Sequence, residues 1–175
     1  MKTLLTRTPK QFKRGLERRA VVRKEHERLK YFEGNWAHKT SIWLAPDSEP
    51  IQSNGKSKVA SLHDGRHYVL QHSGRIIDDV FTSSSQMGFD NLREEYITFS
   101  TDSLSTGLFV AYGKYDSAKK TYTFYGEIPS LRNPGESIKV RLVRRIVDEN
   151  HYTFEWHETH GRQEIKTMQS DFTRK

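Results

Sequence analysis

The stretch Gly34-Asn35-Trp36-Ala37-His38-Lys39-Thr40-Ser41-Ile42-Trp43-Leu44 divides the chain in two. It reads as a β-strand, with Trp36, His38, Thr40, Ile42 and Leu44 sharing one face by the two-residue period of extended backbone. Before it the sequence has helical character and a strong basic charge. After it, nearly everything reads as short strand and tight turn.

That punctuation is regular. Strands are expected over residues 34–44, 51–62, 67–73, 76–89, 95–101, 106–115, 121–128, 137–147, 152–158 and 163–172. Turn chemistry separates them: Ala45-Pro46-Asp47, Asp64-Gly65, Asp90-Asn91, Asp102-Ser103, Asn133-Pro134-Gly135 and His160-Gly161. Asn54-Gly55 reads as a bulge or kink, and the 76–89 segment as interrupted near Asp78-Asp79. The links are too short for helical crossovers, which excludes a βαβ architecture. The expected fold class is all-β: an antiparallel up-and-down β-barrel of about ten strands, which best removes exposed edges, preceded by a basic α-helix. A two-sheet sandwich is the alternative.

Strand faces are well separated. Over 137–147 one face carries Ile138, Val140, Leu142 and Ile146, and the other Lys139, Arg141, Val143, Arg145 and Val147. Over 152–158, Tyr152, Phe154 and Trp156 lie opposite Thr153, Glu155 and His157. Alternation alone does not say which face points into a barrel.

The net charge of +7 is concentrated at one end. Residues 1–33 carry 11 Lys+Arg against 4 Asp+Glu, and residues 34–175 are balanced. The expected organisation is therefore a basic helical extension over 1–33 and a neutral barrel domain over 34–175. Thr8, Pro9 and Gln11 have the form of a helix start with a capping box, and Phe12, Leu16 and Ala20 follow at helical spacing, with Gly34 to end the run. Such a helix suits nucleic acid, anionic lipid or an acidic partner, or is a solvated arm packed on the barrel. Its basic residues circle the helix with no aromatic interleaved to stack bases, which argues against nucleic acid. Cysteine is absent, no apolar run has the length of a membrane span, and no secretory signal is evident, so the expected location is cytoplasmic.

Gly34-x-Trp36 resembles the motif opening the first strand of lipocalins and their calycin relatives, which implies that Trp36 packs across one barrel end. A longer correspondence runs from His26-Glu27-Arg28-Leu29 through Gly34-x-Trp36, Trp43-x-x-Pro46, Gly55, Asp64-Gly65-Arg66, Gly88-Phe89-Asp90-Asn91, Gly113-x-Tyr115-Asp116 and Gly126-Glu127 to Phe172-Thr173-Arg174. Over residues 26–175 it is similar to the bacterial family called domain of unknown function 1579. The resemblance implies a calycin-like barrel and supplies no activity. Residues 73–87 depart from the family's glycine-rich pattern with Asp78-Asp79 and Ser83-Ser84-Ser85, which leaves the register there open.

The expected function is binding of a small apolar or amphipathic ligand in the barrel, including one that bears a carboxylate. The candidate ligand-binding residues are Arg66, Arg141, Trp43, Tyr68, Tyr112, Trp156 and His157. Arg66, if directed inward, would hold a carboxylate through two parallel hydrogen bonds; otherwise it braces the turn through Asp64. Arg141 has the same two readings, and the aromatic residues are cavity lining or core. A haem barrel of the nitrobindin sort shares the calycin architecture and would take one axial histidine, for which His157 is the choice; the cofactor is otherwise unassigned. No His-x-His occurs among the eight histidines, no nucleophile elbow or phosphate loop is present, and adjacent Asp78-Asp79 would point to opposite faces, so neither metal nor catalytic residues are assigned. An isomerase or hydrolase using the same cavity, or an interaction module built on the basic helix, are the alternatives. A homodimer is the expected oligomer.

Overall fold

A computed structural model describes residues 8–77 and 79–175. Two helices, α1 (Pro9–Ala20) and α2 (Lys24–Leu29), lead through a 3-10 turn (Lys30–Phe32) into ten strands. These are β1 (Gly34–Ile42), β2 (Ile51–Leu62), β3 (His67–Ile76), β4 (Asp79–Asp90), β5 (Glu95–Asp102), β6 (Phe109–Asp116), β7 (Thr121–Pro129), β8 (Ser137–Ile146), β9 (His151–His160) and β10 (Gln163–Arg174). Each pairs antiparallel with its sequence neighbours, and β1 pairs with β10 to close the barrel. Closure gives every strand two partners and leaves no edge. No helix among the described residues is long and apolar enough to cross a membrane.

Three local expectations change. Asn54-Gly55 is not a bulge: β2 stays in register with β1 from Ile51↔Ile42 to Val59↔Gly34. Glycine is required at 55 because the His38 ring lies against its backbone, where a Cβ would collide. Gly74 does not end β3. The strand continues to Ile76 and the chain turns at Ile77 (φ 57°), so the serine-rich part of β4 pairs fully with β3. Asp78 lies outside the described residues. The register shift instead falls in β10, between Lys166 and Met168.

The N-terminal helix starts as its sequence indicates. Thr8 Oγ1 accepts from the Gln11 amide at 3.2 Å, and the Thr8 amide donates to Gln11 Oε1 at 2.9 Å. It does not run unbroken to Gly34. Asn91 Nδ2 donates to the carbonyls of Arg19 and Val21 at 3.0 and 2.8 Å, and Arg66 Nε donates to that of Ala20 at 2.6 Å. Side chains from two barrel turns thus satisfy the helix's last carbonyls, which have no partner within the helix. The chain then re-enters helix as α2 and crosses one end of the barrel, burying Leu29 and Phe32 among inward-facing side chains.

Trp36 completes this closed end. Its indole is fully buried, donates to the Phe32 carbonyl at 2.8 Å, and meets Tyr152 edge to face at 4.7 Å. The Arg174 guanidinium lies 4.1 Å from the ring centroid and donates to the carbonyls of Glu33 and Tyr31 at 2.7 and 2.8 Å. Gly34, at φ 123°, lets that guanidinium approach: a Cβ there would stand 2.9 Å from its Nη1. Tyr122, Phe124, Tyr96 and Phe172 fill the rest of this layer.

Trp36→Ala removes a fully buried aromatic and should cost about 3–5 kcal/mol in chemical unfolding. Phe12→Ala, on the exposed face of α1, should change stability by no more than about 0.5 kcal/mol. Equal effects of the two would contradict the assignment of the plug.

Candidate functional site

The strand registers decide which residues face inward. The inward set includes Trp36, His38 and Thr40 of β1, Ser57 and Val59 of β2, and Tyr68, Leu70 and His72 of β3. In β8 it is Ile138, Val140, Leu142, Arg144 and Ile146, opposite Tyr152, Phe154, Trp156 and Glu158 of β9. At the helix-covered end these side chains are fully buried. Toward the other end, inward-facing His38, Ser83, Ser100, Phe154, Trp156 and Met168 are half-buried although the barrel wall surrounds them. Solvent therefore reaches the interior from that end. A wall of ten strands encloses more width than the eight that side chains can fill alone.

The chain connections around this mouth carry exposed apolar side chains: Leu44, Ile77, Leu104, Leu108 and Leu131. Just inside, Trp156 packs against Phe109 at 4.9 Å, and its indole donates to Glu158 Oε1 at 3.0 Å. The Thr167 hydroxyl reaches the same carboxylate oxygen at 3.3 Å, and His160 Nε2 meets Oε2 at 3.0 Å.

Between mouth and plug lies a polar layer. Thr40 Oγ1 links Ser170 Oγ at 2.8 Å to His38 Nδ1 at 3.0 Å. His72 Nδ1 pairs with Ser57 Oγ at 2.5 Å. Arg144 is buried with its guanidinium 4.9 Å from the Phe154 ring centroid. It interacts with the Tyr152 phenol, but its Nε and Nη1, like the Tyr152 hydroxyl, complete no hydrogen bond of regular geometry among the described residues. No carboxylate among the described residues acts on it. Stripping the partner from a buried ion pair typically costs about 3–5 kcal/mol, which measures how unusual such a lone cation is.

Burial, then the field of Arg144, then His38, push the His72 imidazole down to about 3. Burial also lowers His38. Ser57 and His72 form a hydroxyl–imidazole pair, yet among the described residues no carboxylate backs His72 and its basicity is depressed, so the pair lacks the features of an activated nucleophile. Among the described residues no group of three or more His, Cys, Asp or Glu is placed to hold a metal ion.

Of the seven residues singled out in the sequence, the interior receives two: Trp156 near the mouth and Tyr68 in the buried layer by the plug. Arg66 sits at the β2–β3 turn, bonded to the Ala20 and His63 carbonyls and paired with Asp64 at 3.4 Å. It takes its bracing reading. Arg141 projects outside and forms a bidentate pair with Glu164, at 2.9 and 2.5 Å. His157 is also on the outer face, with Nε2 3.0 Å from Glu155 and Nδ1 3.7 Å from Glu164, and presents no ring nitrogen to the interior for a haem. Lys166 joins this outer network to Trp43, standing 5.2 Å from its ring, and Tyr112 lies outside under Arg93 at 4.8 Å. Arg144 is not among the seven. Its signal is a lone charge on the same period-two face as Val140, Leu142 and Ile146.

A model of the family described as "Protein of unknown function (DUF1579)" matches residues 22–174. No curated protein matches the sequence. Among solved structures, Rv2717c from M. tuberculosis superposes with a TM-score of 0.60 at 10% identity, covering 89% of this chain and 99% of that one. The S-type phycobiliprotein lyase CPES from Guillardia theta superposes with a TM-score of 0.53 at 12% identity, covering 92% and 96%. At these identities the likeness is one of fold.

The interior histidines give the barrel a pH signature. Unfolded, His72 would titrate near 6.5, whereas in the barrel it holds no proton until about pH 3. Between those values the unfolded chain binds the extra proton. His72's contribution to stability is therefore intact above pH 6.5 and lost as pH falls toward 3, by up to about 1.4 kcal/mol per pH unit. Imidazole NMR at pH 5 should find His72 neutral; a ring titrating near 6.5 would place it in solvent.

Proposed function

We propose that this chain, which belongs to the DUF1579 family of proteins of unknown function, holds a small apolar or amphipathic ligand inside its barrel, taken up at the end opposite the helices. The observation that carries this reading is the change along the interior. Inward side chains are fully buried beside Trp36, whereas toward the other end His38, Ser83, Ser100, Phe154, Trp156 and Met168 are half-buried, with Phe109, Val140 and Leu142 buried on the facing side of the same closed wall. A concave, mainly apolar space with a few convergent polar groups suits small-molecule binding.

Two further features support it. The rim residues Leu44, Ile77, Leu104, Leu108 and Leu131 offer an apolar approach. Phe109, Trp156, Val140 and Met168 then line the route toward the polar layer. The binding role moves from Arg66, Arg141, Trp43, Tyr112 and His157, all engaged elsewhere, to the inward set. Among the described residues the interior shows no activated nucleophile, which favours binding over hydrolysis.

Nile red, a neutral apolar dye, should bind the wild-type protein with a blue-shifted emission. Ser83→Trp puts an indole into the interior and should weaken that binding at least about tenfold. Arg141→Ala, on the outer wall, should leave it unchanged. Full binding by a stably folded Ser83→Trp protein would place the dye somewhere other than the barrel.

A further inference from the structure

The cation at the base of the interior is unexplained by the fold. A guanidinium cannot shed its proton at any pH the protein meets, so Arg144 cannot relieve its burial by becoming neutral. Its neighbours among the described residues do not neutralise it. The Tyr152 phenol is uncharged, as burial raises its pKa, and His72 and His38 are held neutral by their own burial. The carboxylate of Glu158 is occupied near the mouth by Trp156, Thr167 and His160. Other arginines here show how the chain treats such groups when their role is structural. Arg141 is given Glu164, and Arg174 is given three backbone carbonyls and a ring face. Arg144 has a ring beside it and unused donors at Nε and Nη1.

We propose that Arg144, with the Tyr152 hydroxyl, anchors a single carboxylate at the inner end of the ligand, whose apolar remainder runs past Phe154 and Trp156 to the mouth. The chemistry fits. The edge of a guanidinium formed by Nε and Nη2 is a fork that matches the two oxygens of a carboxylate, as Arg141 shows with Glu164; of the unused donors of Arg144, Nε lies on that edge, and the phenol adds a further donor. One uncompensated positive charge calls for a monoanion. The six residue steps of β8 from Arg144 to Ile138 span about 20 Å, which matches the length of a chain or ring system behind the head group. The ligand class is thus an amphipathic monocarboxylic acid, bound head inward. This deepens the proposed barrel-binding role and rests on it.

Displacement of Nile red by a matched set of ligands tests it. Decanoate should displace the dye from the wild-type protein at least about tenfold more tightly than decan-1-ol, which has the same chain without the charge. Arg144→Met should abolish that preference while leaving decan-1-ol binding within a few-fold. Its melting temperature should equal or exceed the wild-type value, because no cation remains buried. Arg144→Lys keeps the charge without the fork and should recover only part of the preference, which covers the case in which Arg144→Met fails to fold.

A preference for decanoate that survives Arg144→Met overturns the anchor. So does equal binding of decanoate and decan-1-ol to the wild type, although the barrel site would still stand. Tighter binding of decyl phosphate than of decanoate overturns the carboxylate assignment. If neither ligand displaces a dye that binds, or if Nile red does not bind at all, the barrel-binding reading fails and the anchor with it.

Discussion

Trp36 is held by three contacts, and they fix the closed end of the barrel. Tyr152 meets the indole in a T-shaped contact and the Arg174 guanidinium lies over it, while the ring nitrogen holds the last turn of the N-terminal helical segment. Arg174 comes from the end of the last strand and Trp36 from the start of the first. One contact therefore ties barrel closure to the placement of α2 and the 3-10 turn. Because these elements plug one end with aromatic side chains, the half-buried inward-facing side chains lie toward the other.

The family's turn motifs make sense in the same terms. Asp64-Gly65-Arg66 and Gly88-Phe89-Asp90-Asn91 lie in two turns at the plugged end. Their Arg66 and Asn91 take up the terminal carbonyls of α1 and so direct the chain across the barrel. These residues position the cap and do not line the interior. The outer wall has its own polar network running from Arg141 through Glu164, His157 and Glu155 to Lys166 and Trp43, where solvent screening keeps each pair weak. The interior has a different character: among the described residues a layer of hydroxyl and imidazole groups adjoins a cation, Arg144, with donors to spare at Nε and Nη1.

Much of the architecture was legible in the sequence because it depends on local signals. The two-residue period of β8 and β9, the Asp-Gly turn and the Thr8–Gln11 capping box each need only a few adjacent residues. The helix break at residues 21–23 was not legible, since Asn91, 70 residues from Val21, supplies the decisive hydrogen bond. Gly55 looked like a bulge because its real cause, the His38 ring, belongs to a neighbouring strand. The candidate site was read less well. Alternation separated Arg141 from the aliphatic face of β8, but without the registers it did not say that the aliphatic face is the inner one. Arg144, on that inner face, breaks the apolar pattern. Such a breach is costly in an interior.

The account predicts a direction as well as a place: head group at Arg144, tail at the mouth. Paramagnetic broadening of the tryptophan indole N–H signals by decanoate carrying a nitroxide on its terminal carbon tests this most directly. Trp156 is near the mouth, and Trp36 lies under the plug, about 20 Å away along the strands. Strong broadening of the Trp156 signal with the Trp36 signal retained is the predicted result. Broadening of Trp36 in preference to Trp156, or of neither, would contradict a ligand bound head inward in this barrel.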